Sequence, residues 1–296
     1  DNRDTTHYGQ RIEQHIIQSL VARLIINSEY HKRKDEIHRF NKTSAVLKRG
    51  IAITPVKFGI SFTVTHLNQA GALLHIYTDG SLQLNHGGTE MGQGLYTKVV
   101  QIVATTLQVD VGDISCTATR TDKVPNTSPT AASSGSDLNG MAAKQAAETL
   151  KHRLSEFAAK HFAVDTSAVQ FASGHIHIGG HTLTFAELAR LAYVNRVSLS
   201  AVGYYRTPKI HYDRSLARGR PFYYFAYGAA VSEVIIDTLT GEYKVHRVDI
   251  CHDVGESLNP ALDLGQIEGG FIQGMGWVTN EELVWDDEGR LLTVSY

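Results

Sequence analysis

Apolar residues recur along this chain with two different periods. Ile12, Ile16, Leu20 and Leu24 are spaced four apart, which places them on one helix face and predicts a long amphipathic helix from about Gly9 to Asn41. The mixed-sign run His31-Lys32-Arg33-Lys34-Asp35-Glu36 inside it reads as that helix's solvated face. Alternation then takes over: Lys48–Val56, Gly59–His66, Ala72–Thr78 and Leu82–Asn85 read as strands, with Thr78-Asp79-Gly80-Ser81 as a hairpin turn. A helix running to about Leu107, a strand over Val111–Thr119 and a second long helix from Asp137 to about His161 follow. Residues 165–210 alternate short strands with one helix at Thr184–Ala192, and the stretch His175–Gly180 reads as a hairpin. Phe222–Asp237 and Lys244–Asp253 pair about the turn Thr238-Leu239-Thr240-Gly241-Glu242. Asn259-Pro260 opens a last helix, because proline's fixed φ suits a first helical position. The order strand, strand, helix, strand, helix predicts an α+β fold with mixed sheets and packed helices, not a doubly wound one. It divides into a first α+β portion over residues 1–164 and a second over 165–296.

Composition narrows the class. With 296 residues, 42% apolar and 20% charged, the chain is long enough for a large core and ordinary in its balance. A net charge of −2 gives no electrostatic reason for nucleic acid or an anionic membrane as partner. No apolar run approaches the ~20 residues of a membrane-spanning helix and no signal peptide opens the chain, so the cytoplasm is the expected compartment. Cys116 and Cys251 form no CxxC pair and sit in apolar, strand-like runs, where buried thiols are expected. Most of the fifteen histidines read as surface or satisfied core residues. The chain starts at Asp1 and stops at Leu291-Leu292-Thr293-Val294-Ser295-Tyr296, within what reads as a strand, as a piece of a longer protein would.

Two glycine–glutamine segments carry the candidate chemistry. The first is Gly87-Gly88-Thr89-Glu90-Met91-Gly92-Gln93-Gly94, a loop that runs into a helix. The second is Gly265-Gln266-Ile267-Glu268-Gly269-Gly270-Phe271-Ile272-Gln273-Gly274-Met275-Gly276. Glycine lets a ligand approach the backbone, the first N–H groups of a helix attract anions, and glutamine adds a neutral fork of donors and acceptor. Neither segment is a GxxxxGK[ST] or GxGxxG phosphate motif. A polar stretch over residues 120–136, with a helix start at Ser136-Asp137, makes a third anion cradle. Together they predict a large, polar, phosphorylated cofactor.

Phe58-Gly59-Ile60-Ser61-Phe62-Thr63, Leu67-Asn68-Gln69-Ala70-Gly71-Ala72, the Gly87–Gly94 loop, Val124-Pro125-Asn126-Thr127-Ser128-Pro129-Thr130-Ala131-Ala132-Ser133 and Asp263-Leu264-Gly265-Gln266-Ile267-Glu268-Gly269 closely resemble the molybdopterin-binding portion of the xanthine dehydrogenase family. The resemblance spans essentially the whole chain, with the motifs in order and spacing, and is nearest to the second half of a bacterial molybdenum-binding subunit or domain. It implies an oxidoreductase that hydroxylates purines, hypoxanthine to xanthine to urate, with water as oxygen source. Electrons would pass through 2Fe-2S clusters and FAD, bound elsewhere, to NAD. The implied partners are a purine substrate, the remaining half of the molybdenum domain and the iron–sulfur and FAD domains or subunit, in a dimer of the full enzyme. An aldehyde oxidase-like enzyme, another purine hydroxylase and a non-catalytic scaffold remain as alternatives.

Residue by residue, the resemblance makes Gln93 and Gln266 the glutamines that hydrogen-bond the pterin, with Met91 adding a backbone contact. Ala131 and Ala132 match alanines lying against the metal and substrate space, Ala132 beside the molybdenum without ligating it. Ser133 and Ser136 match positions near the pterin phosphate, and Gly135 stands where some relatives offer a hydroxyl. Phe62 and Thr63 match the substrate wall. The family's catalytic glutamate falls beyond residue 296 and its substrate-orienting residues before residue 1, so the isolated chain is expected to be inactive.

Overall fold

In the computed structural model, which describes residues 4–123 and 126–294, the chain gathers into two units, Asp1–Asp253 and Val254–Tyr296. The boundary expected at residues 164 and 165 falls inside the first unit, because β-strands from both sides of it share a sheet, as described below.

The single long helix expected over residues 9–41 is two helices, α1 (Ile17–Asn27) and α2 (Tyr30–Thr43). Ser28 N–H closes the end of α1 on the Leu24 carbonyl at 2.9 Å, and Glu29 takes a left-handed φ of 51° that turns the chain. The bend also aims Arg33 inward, which overturns the reading of residues 31–36 as a wholly solvated face. Arg33 is buried, and its guanidinium donates to Glu233 Oε2 at 2.9 and 2.7 Å and to Asp249 Oδ2 at 2.8 Å.

The two strands expected between Lys48 and His66 are one, β1 (Leu47–Ile60), since its pairing continues without a break from Leu47 opposite Asp237 to Ile60 opposite Tyr224. Residues 61–68 leave the strand, so Phe62 and Thr63 lie in a loop and not in a strand. Next come β2 (Gln69–Ile76) and β3 (Leu82–His86), joined by the expected turn, in which Asp79 Oδ1 accepts from Ser81 N–H at 3.0 Å. The expected helix is α3 (Leu95–Leu107). The strand expected over 111–119 shrinks to β4 (Ile114–Cys116), because Asp110 caps a 3₁₀ turn over Val111–Asp113 through Gly112 N–H at 2.7 Å. The second long helix is α4 (Gly135–His161).

The next stretch holds β5 (Val169–Ala172), β6 (His175–Ile178), β7 (His181–Thr184) and α5 (Phe185–Val194). Helix α5 starts where expected because Thr184 and Glu187 cap each other reciprocally. Then follow β8 (Ser200–Arg206), β9 (His211–Asp213), β10 (Arg218–Arg220), β11 (Tyr224–Asp237) and β12 (Tyr243–His252).

These strands form a mixed α+β architecture. The sheet β4-β3-β2-β8 is antiparallel except for the parallel β3–β4 pair, and β1-β11-β12, β5-β6-β7 and β9-β10 are antiparallel. The larger core lies between the four-stranded sheet and helices α3 and α4. There Ala142, Ala143, Ala146 and Ala147 are fully buried, their small side chains letting α4 lie close to the sheet. The smaller core sets Leu20 and Leu24 of α1 on Tyr227, Ala229 and Val231 of β11, each leucine contributing roughly 2 kcal/mol by burial. Cys116 and Cys251 are free thiols, and burial pushes the Cys116 thiol up to about 11.

In the second unit, Asn259 caps α6 (Pro260–Thr279) by accepting from Leu262 N–H at 3.1 Å. Residues 265–276 are therefore helix throughout and not a glycine–glutamine loop. Instead of a terminal strand, the described residues after α6 hold a bridge between Trp285 and Leu291; Ser295 and Tyr296 lie outside the described residues. No helix among the described residues is long and apolar enough to cross a membrane.

Candidate cofactor site

The first glycine–glutamine loop leaves β3 at His86 and enters α3 at Leu95, and its shape comes from its own polar side chains. Glu90 turns back on the start of α3: Oε1 accepts from Gly92 and Gly94 N–H, each at 3.0 Å, and Oε2 from Tyr96 N–H at 2.9 Å. Burial alone would raise the Glu90 pKa, but these backbone donors outweigh it and hold the carboxyl below its ordinary value. The helix start expected to attract a phosphate is thus filled by the chain's own carboxylate. Gln93 closes the same turn, accepting from Met91 N–H at 2.5 Å and donating to the Thr89 carbonyl at 2.8 Å. That uses one N–H and one lone pair of its four hydrogen-bonding positions.

Two glycines of the loop do different work. A Cβ on Gly87 would collide with the Thr127 side chain, so that glycine permits close packing. Gly92 has φ +93° with nothing within 4 Å of a would-be Cβ, and its glycine is required by the backbone turn. Beneath the loop, His86 is 2% exposed, its Nδ1 accepts from Gly88 N–H at 3.1 Å, and its Nε2 has no partner. Burial drives the His86 pKa down to about 4. This histidine departs from the reading of the histidines as surface or satisfied core groups.

The polar stretch forms the facing wall. Val124 and Pro125 of its motif lie outside the described residues. Thr130 Oγ1 accepts from Thr89 N–H at 2.8 Å, tying the two segments together. Ala132 and Ser133 adopt left-handed φ values of 56° and 53°, which cost L-residues roughly 1–2 kcal/mol each and persist only where surrounding contacts impose them. Ser134 does so here, its N–H and Oγ both reaching the Ala131 carbonyl, at 3.3 and 3.1 Å.

Between the walls lies a cleft of about 390 Å³ lined by Met91, Gln93, Leu95, Thr130, Ala131, Ala132, Ser133, Gly135 and Ser136. Met91, Gln93, Ala131, Ala132, Ser133 and Ser136 are six of the nine residues singled out from sequence. The fit to a bulky polar heterocycle rests on this donor set: an exposed thioether, a half-used carboxamide, two methyl-sized side chains and two hydroxyls. Phe62 and Thr63 are not among the lining residues. Their loop is organised by Asn68, whose Oδ1 accepts from Phe62 N–H at 2.8 Å and whose Nδ2 donates to the Phe62 carbonyl at 2.9 Å. Gln266 sits on α6 of the second unit, exposed. A separate cleft of about 350 Å³, with Gln10, Arg220, Tyr223 and Tyr224 in its wall, contains none of the expected residues.

Sequence reasoning had missed Glu90, His86 and Thr130. Glu90 was detectable as a carboxylate just before a helix start, whereas His86 and Thr130 carry no local pattern. Among the described residues no group of three or more His, Cys, Asp or Glu side chains is placed to hold a metal ion.

A mixed α+β chain with such a neutral, small-residue cleft is a cofactor-binding domain, and comparison with known proteins gives the family. The chain belongs to the molybdopterin cofactor-binding domain family, whose profile it matches over residues 23–296. It is 48% identical to the xanthine dehydrogenase/oxidase of Felis catus, over 98% of this chain and 20% of that protein. It is 46% identical to the xanthine dehydrogenase of Dictyostelium discoideum, with the same coverages of 98% and 20%. The chain thus spans about a fifth of the length of these relatives. Two solved structures share the fold. The Cu,Mo-CO dehydrogenase superposes with a TM-score of 0.80 at 23% identity, covering 97% of this chain and 37% of that one. Quinoline 2-oxidoreductase from Pseudomonas putida 86 gives 0.81 at 21%, covering 98% and 37%.

Proposed function

We propose that this chain is the part of a purine-oxidising molybdenum hydroxylase that grips molybdopterin and supplies one wall of the substrate space. The observation that carries the proposal is the meeting of Met91, Gln93, Ala131, Ala132, Ser133 and Ser136 at one cleft, in a chain of the molybdopterin-binding family. When bound, the molybdenum cofactor supplies the oxygen-transfer and two-electron chemistry, with water as oxygen source.

The chain's own residues bind and orient. Gln93 offers its remaining N–H and lone pair to the pterin edge, and Ser133 and Ser136 offer hydroxyls to its phosphate. Ala131 and Ala132 leave space, because any longer side chain would project into the cleft; Ala132 would adjoin the metal without being a ligand to it. For Gln266, on the second unit, a pterin-binding role is what the resemblance implies. Phe62 packs on the flat purine and Thr63 bonds its edge. The neighbouring half of the molybdenum domain, the iron–sulfur and FAD domains, a dimeric full enzyme and a cytoplasmic setting complete the proposal.

The test uses the intact protein: molybdenum content, pterin fluorescence after oxidation, and xanthine-dependent NAD reduction. All three are expected. Absence of both metal and pterin would make the chain a scaffold, and turnover of aldehydes without purines would overturn the substrate assignment.

A further inference from the structure

Glu90 is the loop residue with the most backbone partners and no part in the cleft lining. Its two oxygens collect the N–H groups of Gly92, Gly94 and Tyr96, drawn from both the turn and the start of α3. Met91 and Gln93, which do line the cleft, are flanked by those donors. The Gln93 carboxamide locks the turn from its other side through Met91 N–H and the Thr89 carbonyl. Tyr96 is held in turn by its hydroxyl, 2.9 Å from Thr119 Oγ1, and Thr119 Oγ1 donates to the Gly88 carbonyl at 2.5 Å. The loop is therefore assembled around an internal anion before any ligand arrives. Three amide donors that converge on one carboxylate would, without it, converge on a free anion.

We propose that Glu90 is a positioning residue for cofactor binding. Its carboxylate substitutes for a ligand anion at the start of α3, sets the Met91–Gln93 turn in its cofactor-facing form, and turns the anionic end of the cofactor away from that helix. This rests on the cleft being the molybdopterin site, and it adds that the loop's anion-binding amides are already committed to the chain itself. Preorganisation of this kind removes an ordering cost from binding.

The test compares wild type, Glu90→Gln and Glu90→Ala in the intact protein, reading pterin retained through purification and the thermal midpoint of cofactor-depleted protein with and without acetate or inorganic phosphate. Glu90→Gln keeps the volume but turns an NH₂ group toward an amide donor. Loss of charge-assisted hydrogen bonds is expected to weaken pterin retention about tenfold or more in both variants. Acetate is expected to raise the midpoint of Glu90→Ala but not of wild type and to restore part of its pterin retention, and phosphate to raise the midpoint of Glu90→Ala by more than that of wild type. Wild-type pterin retention in both variants overturns the proposal. So does a loss in Glu90→Ala that neither anion relieves, since a merely structural role would leave no anion-binding vacancy. If Glu90→Ala does not fold, Glu90→Gln decides alone, and unchanged retention there overturns the proposal. Absence of pterin from the wild type instead overturns the cofactor assignment on which this rests.

Discussion

Replacing Glu233 by glutamine removes a buried charge that Arg33 and Arg49 share inside the β1-β11-β12 sheet. Glu233 is 1% exposed and sits where a bulge interrupts the β11–β12 register, between Glu233 and Val234. Oε2 accepts from Arg33 at 2.9 and 2.7 Å, and Oε1 from Arg49 Nε at 3.0 Å, with Arg49 Nη2 closing a second contact. Burial alone would push its pKa up, but the Arg49 and Arg33 guanidiniums outweigh that and hold it below the ordinary value. Its stabilisation is therefore full above the ordinary carboxylate range and is lost as pH falls through the lowered native value. Removing one partner of a buried ion pair typically costs about 3–5 kcal/mol, because the other charge is left uncompensated. Arg33 keeps Asp249 Oδ2 at 2.8 Å and the Ser28 carbonyl at 3.1 Å, which argues for the lower end, about 3 kcal/mol. At 1.4 kcal/mol per decade that is roughly a hundredfold loss of protection in amide hydrogen exchange across β11 and β12, measured in the intact protein. Arg247→Gln is the control: its pair with Asp249, at 2.7 Å, lies on a side chain 43% exposed, and a loss under about 1 kcal/mol is expected. Protection in Glu233→Gln within about threefold of wild type would refute the reasoning, since it would mean that solvent or repacking replaces the lost charge at little cost.

Gly87→Ala is expected to destabilise the site by about 1–3 kcal/mol through overlap with the Thr127 side chain, and Thr127→Gly to relieve most of it. A thermal-shift double-mutant cycle on the intact protein checks this; additive effects would count against packing as the glycine's role. His86, held near a pKa of about 4 by burial, binds fewer protons folded than unfolded between there and the ordinary 6.5. Stability around the loop is thus expected to fall with acidification across that window, by about 3 kcal/mol in all. His86→Asn, which keeps a δ-position acceptor for Gly88 N–H, should flatten that slope in exchange measurements; an unchanged slope would assign it to other groups.

How much of this was legible in the sequence depends on where each determinant lies. Helices α3 and α4, the Asp79 turn and the β11–β12 hairpin rest on patterns contained in their own residues, and they appear where those patterns put them. The division of the first helix did not show, because the left-handed turn at Glu29 has no local pattern and the partner that Arg33 meets after it, Glu233, lies 200 positions away. Nor did the continuity of β1 through Lys57 and Phe58, which β11 imposes by pairing with every residue. The glycines of α6 imitate a loop in composition, yet the Asn259 cap and Pro260 are enough to start a helix through them.

The cleft divides along the same line. Gln93 was proposed from its chemistry, and the resemblance added Met91, the two alanines and the serines that meet it. What no linear reading carried was that Gln93 first holds its own loop together, that Glu90 fills the place kept for a phosphate, and that Ala132 and Ser133 are held left-handed by Ser134. Each of these depends on a backbone angle or on a donor from another turn. A residue type therefore indicates what a side chain is able to bind, while the donors and acceptors already spent inside the fold decide what remains for a ligand. At this site that remainder is neutral on the Gln93 wall and hydroxylic on the Ser133 wall.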